Sequence, residues 1–305
     1  CGHMSLRMRI VAAYMKRTSH PVMSSAENTA AAIAEPKKPH NPPHEQYQVN
    51  HITVEELDGF PVYSVVPATD EPRDTPRDIV IYVHGGAFFR ELTKYHWTLV
   101  SDIAAAGFKV VVPVYGLLPD HDAEDAYPFI REVWRRAAAE AEASGHTVSI
   151  AGDSAGGGLA AGCVLRFAGE DAAELPAPSR MALIAPWLDL TVSDPRVEEI
   201  GPRDPWLHPT GLRVAGEAWG RRSGEQDVLT TPLSADPAML AALPPTRIWS
   251  GGRDVLHPDA SAFAQATSCD LTVVPHALHA YPLVPAPEGA TGRGEVVSWL
   301  SAPGR

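Results

Sequence analysis

The sequence predicts an α/β architecture, a doubly wound and mostly parallel sheet flanked by helices. Nearly continuous β-branched runs suit strands that are covered on both faces. Helical stretches alternate with most of those runs, which is the pattern of βαβ units with ligands at the carboxyl ends of the strands. One apolar run, Val148-Ser149-Ile150-Ala151, leads through Gly152-Asp153-Ser154-Ala155-Gly156 into a small-residue helix. That strand–turn–helix setting makes the G-x-S-x-G pattern a nucleophile elbow.

Taken in order, Cys1-Gly2-His3 before Met4 reads as a tag remnant. Residues 5–17 carry Arg7, Arg9, Lys16 and Arg17 around an apolar centre too short for a signal peptide. They are read as an amphipathic cap helix, with a membrane-surface anchor as the alternative. Residues 18–48, with Pro36, Pro39, Pro42 and Pro43, are expected to form a partly mobile connector, so that 1–48 as a whole contributes to the cap. Strands are predicted at 51–57 and 60–66, joined by the hairpin signal Asp58-Gly59. Further strands follow at 79–83, 110–114, 148–151, 181–185, 247–250 and 271–274, and helices at 97–106, 123–143, 155–168, 258–266 and 295–300. Residues 190–229 interrupt the rhythm with Trp206, Trp219 and a helical stretch at 211–220, and are read as a cap insertion. The core is then 49–189 and 230–305.

The chain has 305 residues, 45% of them hydrophobic, and a formal net charge of −12. The charge argues against nucleic acid or an anionic membrane as partner, either of which calls for a basic face. No stretch reaches the roughly 18–20 apolar residues of a membrane span. Cys163 and Cys269 have no spacing pattern that suggests a disulfide framework or a zinc site, which fits a reducing cytoplasm. Cys163 falls on the helix after the elbow and is expected to be a small buried hydrophobe.

A serine hydroxyl needs a base and an orienting acid, which follow it in the order acid, then histidine. The strand at 247–250 runs into Gly251-Gly252-Arg253-Asp254, placing Asp254 just beyond a carboxyl end. An Asp there could instead cap the next helix, but Asp259 beside Pro258 suits that role better. The strand at 271–274 leads to His276 and His279, and position alone only slightly favours His279. An oxyanion hole needs backbone N–H groups. His84-Gly85-Gly86-Ala87 at the end of the strand 79–83 can supply them, together with Ala155 after the serine.

These motifs together resemble the hormone-sensitive-lipase-like esterases, a branch of the α/β hydrolases marked by H-G-G-G and G-D-S-A-G-G. Here they read His84-Gly85-Gly86-Ala87 and Gly152-Asp153-Ser154-Ala155-Gly156-Gly157. Tyr115 with Pro119, Pro186-Trp187-Leu188-Asp189-Leu190 and Asp254-Val255-Leu256 also match, and His279-Ala280-Tyr281-Pro282 resembles the H-x-F/Y segment. The resemblance implies an eight-stranded sheet with a helical cap and carboxylesterase activity on short or medium acyl chains without cofactor or metal. It assigns Ser154 as nucleophile, His279 as base and Asp254 as acid. Gly86 and Ala155 become oxyanion donors, with Gly85 or Ala87 as the third. The chain departs from the pattern at Ala87 and at Gly116-Leu117-Leu118-Pro119-Asp120, where a structural arginine is lost before the acidic stretch His121-Asp122-Ala123-Glu124.

Phe88, Phe89, Trp206 and Leu207 are candidates to line an acyl or alcohol pocket, with plain core packing as the alternative for each. A small-molecule ester is the expected partner; a homodimer is one assembly the sequence leaves open, and the oligomeric state is not fixed by it. An amidase or deacetylase using the same triad is the alternative activity. A non-catalytic ligand receptor on this scaffold is disfavoured because all three triad residues are present.

Overall fold

A computed structural model describes residues 4–170, 174–224 and 226–302, so Cys1-Gly2-His3 lies outside it. The strands are β1 (Asn50–Leu57), β2 (Phe60–Pro67), β3 (Ile79–Val83), β4 (Lys109–Pro113), β5 (Val148–Asp153), β6 (Met181–Ile184), β7 (Thr246–Gly251) and β8 (Asp270–Val274). The helices are α1 (Leu6–Thr18), α2 (His20–Met23), α3 (Ala26–Ala34), α4 (Gln46–Val49), α5 (Lys94–Ala105), α6 (Ala123–Ser144), α7 (Ser154–Glu170), α8 (Val197–Ile200), α9 (Pro209–Trp219), α10 (Pro237–Ala241), α11 (His257–Thr267) and α12 (Pro287–Leu300).

The strands form one sheet in the order β1-β2-β4-β3-β5-β6-β7-β8. β1 and β2 pair antiparallel through Asp58 and Gly59, whose φ values of +51° and +83° give the left-handed turn a two-residue hairpin needs. β2 pairs antiparallel with β4, and every later pairing is parallel. β3 lies between β4 and β5, so the chain leaves it on one side and returns on the other. The crevice for a ligand opens at such a switch point, beyond the carboxyl ends of β3 and β5.

Alternate residues of β3 feed two cores. Ile79, Ile81 and Val83 pack with Ile130, Trp134, Leu159 and Phe263 from α6, α7 and α11. Val80 and Tyr82 pack with Trp97, Val100, Ile103, Val296 and Leu300 from α5 and α12. A strand buried on both sides has no polar face, which explains the continuous apolar runs.

The structure corrects two expectations about local order. Residues 18–48 are not only connector: they hold α2, α3 and the start of α4. Ser25 caps α3 by accepting the Asn28 N–H, and the alanine-rich stretch that follows needs no further help to be helical. α2 and α3 pack on α9, where Gly211 lets the chains approach, since a Cβ there would fall 2.5 Å from the Met23 carbonyl of α2 and 2.8 Å from Thr29 Oγ1 of α3. α12 starts at Pro287 rather than at 295, because Gly289 and Gly292, weak helix formers, are held by close packing against the 281–284 segment.

The acidic stretch after β4 is neutralised by arginines of the 190–229 segment and α7. Asp122 is buried and paired with Arg221 and Arg222, while Glu124 meets Arg166 at 2.9 Å. The Gly116 backbone lies against the His121 ring, 2.4 Å from where a Cβ would sit, so no longer side chain fits there.

Candidate active site

β5 passes into α7 at Ser154, whose φ of +53° is left-handed. A non-glycine residue is strained there by roughly 1 kcal/mol or more. Close packing on either side holds it: a Cβ on Gly152 would lie 2.6 Å from the Gly156 carbonyl, and one on Gly156 would lie 2.2 Å from the Val83 carbonyl. The elbow is thereby pressed against the end of β3.

Two further loops converge on it. Gly252 N–H donates to the Val274 carbonyl at 2.9 Å and Arg253 N–H to the Ala277 carbonyl at 3.2 Å, so the loops after β7 and β8 are laced together. A Cβ on Gly251 would meet the Leu278 carbonyl at 2.2 Å. The lacing brings Asp254 Oδ2 to 2.8 Å from His279 Nδ1, and His279 Nε2 to 2.8 Å from Ser154 Oγ. All three residues are buried. Asp254 Oδ1 also accepts the Leu256 N–H at 2.9 Å, which fixes the carboxylate in its turn. Burial disfavours a charged His279, but the Asp254 charge and hydrogen bond outweigh it, with help from Asp204 and Asp153, and raise its pKa above the ordinary imidazole value. His276 is exposed and stands apart from this chain of contacts.

The Gly85 N–H is not free to bind an oxyanion, because it donates to Asp153 Oδ1 at 2.9 Å. That corrects the expectation which left Gly85 and Ala87 as equal candidates. Among the described residues no acceptor engages the N–H of Gly86 or Ala87. Ala155 N–H lies in the first turn of α7, where helix N–H groups have no intrahelical partner. Gly86, Ala87 and Phe88 have φ values of +123°, +52° and +64°, a run of positive-φ backbone.

Sequence reasoning missed the network under this loop. Asp153 accepts from Tyr82 OH at 2.6 Å and from Gly85 N–H, and its other oxygen lies 3.4 Å from His96 Nε2. Burial opposes its charge, but His96, Tyr82 and Gly85 prevail and lower its pKa. The signal available was an acid at the variable position of the G-x-S-x-G motif. His84 stacks on Tyr115, and burial pushes its pKa to about 4, so it stays neutral. Its Nδ1 sits 2.7 Å from the Gly85 carbonyl, and Tyr115 OH donates to the His84 carbonyl at 2.7 Å.

The four pocket candidates separate. Trp206 packs edge-on against the His279 ring at 5.5 Å. Phe88 is stacked between Trp187 and Trp219, at 5.5 Å and 4.2 Å, in the core. Phe89 and Leu207 are buried. Asp204, a second missed residue, holds the Trp206 segment: its Oδ1 accepts the N–H of Trp206 at 2.7 Å and of Leu207 at 3.1 Å. Asp259 does not cap α11; it lies in the first turn with one buried oxygen unpartnered. Cys163 is fully buried, and burial pushes its thiol pKa up. Among the described residues no helix is long and apolar enough to cross a membrane.

Comparison with known proteins agrees with the fold. The model of the α/β hydrolase fold family matches residues 80–283. An acetyl-hydrolase of Streptomyces hygroscopicus is 30% identical over 228 residues, covering 74% of this chain and 69% of that protein. A triacylglycerol lipase of Mycobacterium tuberculosis is 28% identical over 234 residues, 74% of this chain, and the chain spans only 46% of that lipase. Among solved structures, an esterase of the bacterial hormone-sensitive lipase family superposes with a TM-score of 0.76 at 20% identity, covering 98% of both chains. The chain belongs to the α/β-hydrolase fold family.

Proposed function

We propose that the protein is a serine carboxylesterase that hydrolyses short- to medium-chain acyl esters through an acyl-enzyme. The observation that carries the reading is the unbroken contact from Asp254 through His279 to Ser154, with 2.8 Å at each step, beside unengaged N–H groups at Gly86 and Ala87. His279 Nε2 takes the Ser154 proton as Oγ attacks the ester carbonyl. The carbonyl oxygen gains charge and is met by the N–H groups of Gly86, Ala87 and Ala155. His279 returns the proton to the departing alkoxide, and water then attacks the acyl-enzyme by the same route. Asp254 holds the imidazole with Nε2 toward the serine and stabilises it when charged.

Residues 1–48 and 190–229 form the cap in this reading, and Trp206 reaches from it to His279. The methyl group of Ala87, in place of the usual glycine, narrows the acyl side and favours short chains. The likeness to an acetyl-hydrolase supports the same preference. Ser154→Ala is expected to abolish hydrolysis of p-nitrophenyl acetate while the circular dichroism spectrum and melting temperature stay close to wild type. Turnover retained in that variant would overturn the assignment.

A further inference from the structure

The overall acidity of the chain hides a segregated basic face. α1 carries Arg7, Arg9, Lys16 and Arg17 and no carboxylate, within a chain whose formal charge is −12. Its orientation is fixed. Met8 and Ala12 are buried, and Ser5 at the N-cap is tied to Glu288 of α12 by bonds of 2.6 and 2.7 Å. Helical periodicity then sends Leu6, Ile10 and Tyr14 outward as one stripe. They are 70%, 60% and 61% exposed, among the most exposed large hydrophobic residues described.

The cations frame that stripe. Going around the helix, Arg9 and Lys16 fall on one flank, Arg7 on the other, and Arg17 lies in line with the stripe at its carboxyl end. Lys16 is engaged by His20 and the Pro202 carbonyl. Arg7, Arg9 and Arg17 meet no carboxylate among the described residues. The face also borders the site. Arg9 lines a recess of about 470 Å³ with Met4, Arg253 and His276, and the last two belong to the loops that carry Asp254 and His279.

We propose that α1 is a docking face for an anionic lipid surface. Leu6, Ile10 and Tyr14 enter the headgroup–acyl boundary, while Arg7, Arg9 and Arg17 meet lipid phosphates. Both parts are needed: an apolar stripe alone would suit many partners, but cations around it select a negatively charged one. A two-fold contact between copies over this face would set arginines against arginines. The acidity of the rest of the molecule does not prevent docking, because charges beyond about 8 Å are screened at physiological salt. The expectation that net charge excludes such a partner therefore holds for the average of the chain and not for α1.

The test is co-sedimentation of the full chain with vesicles of phosphatidylcholine alone or with roughly one-third phosphatidylglycerol. Wild type is expected to bind the anionic vesicles and to be released by added salt. Leu6→Ser/Ile10→Ser/Tyr14→Ser is expected to weaken binding at least tenfold. Arg7→Gln/Arg17→Gln is expected to weaken it by about fivefold per arginine. Both variants should keep wild-type hydrolysis of a soluble ester, because all five substituted side chains are exposed on the outer side of α1 and touch neither the triad nor the oxyanion loop. Absence of binding by wild type, equal binding to neutral vesicles, or unchanged binding by the serine variant would overturn the proposal. So would a wild-type dimer that the serine variant turns into a monomer, since a second copy would then cover the face. The readout is binding, so its failure is distinguishable from failure of the esterase reading.

Discussion

The carboxylate of Asp204 accepts the backbone N–H of Val255, the residue next to Asp254, at 2.9 Å. One buried side chain from the 190–229 segment therefore holds the loop that presents Asp254, while its other oxygen holds Trp206 over His279. Burial and the neighbouring Asp254 charge raise its pKa to about 7. The charged groups nearest this point are Asp254 and His279, with the His20 ring against the Asp204 backbone and the Arg253 guanidinium on the Arg203 carbonyl.

Asp204→Asn replaces one acceptor by a donor, leaving a backbone N–H unpaired at a cost of about 1–3 kcal/mol. Denaturant unfolding should read that loss. The variant should also move the acid limb of kcat/KM. Hydrolysis needs neutral His279, whose raised pKa puts the wild-type limb above about 6.5. Removing the Asp204 charge lowers that pKa, so the limb should shift to lower pH. A purely structural lesion would lower the plateau and leave the limb in place.

Gly85→Ala is expected to cost both stability and activity. The new Cβ would fall 2.4 Å from Asp153 Oδ2, 2.6 Å from the Asp153 carbonyl and 2.9 Å from Ser154 Cβ. Backbone and a locked carboxylate cannot give way cheaply, so a loss of about 3 kcal/mol or more is expected. Surviving folded protein should show kcat reduced by about 10²-fold with a smaller change in KM, because the proposed oxyanion donors at Gly86 and Ala87 are displaced.

Asp259→Asn is expected to stabilise the protein at alkaline pH. Burial, followed by repulsion from Asp189 and Asp194, raises the Asp259 pKa to about 7. The folded state therefore holds this proton more tightly than the unfolded state. Stability falls as pH rises from the ordinary carboxylate range through about 7, then levels off. Asn at this position removes the penalty. Its gain over wild type should be largest above about pH 7.5, up to roughly 2–4 kcal/mol, and should fade toward about pH 4. Thermal melts across that range read the difference, and an equal effect at all pH values would count against the cause given.

Trp206→Ala should change which acyl chain is preferred more than it changes stability. The ring is only partly buried and lies against His279, where substrate meets the cap in the proposed reading. A p-nitrophenyl ester series from acetate to decanoate is expected to shift toward longer chains. An unchanged profile would remove Trp206 from the substrate pocket.

The parts that were legible in the sequence share one property: each is local. Ser154, Asp254 and His279 each follow a strand closely, and a parallel sheet places the carboxyl ends of its strands together. Gly85 was misread because its partner is 68 residues away, brought beside it by the β3–β5 register that sets Val83 against Gly152. Asp204 carries no local mark, since its role depends on where the insertion lands. α3 was hidden by the prolines that follow it, which dominate the composition of 18–48 although the helix ends before the first of them. The basic face of α1 was legible as a list of cations, but only the burial of Met8 and Ala12 shows which way its apolar residues point.

Asp153 sits one residue before Ser154 and grips the Gly85 amide, the first of the loop that carries Gly86 and Ala87. In the proposed mechanism a single side chain thus acts as a spacer of set length between the attacking oxygen and the groups that receive the negative charge. On that reading nothing has to be assembled when an ester arrives, so little reorganisation is added to the barrier. Among the described residues, the helices of the 190–229 segment make none of the spacer's contacts, which are to Tyr82, Gly85 and His96. Its integrity is separable from theirs: damage to the helices should alter which molecules react, while damage to Asp153 should slow the reaction of all of them alike.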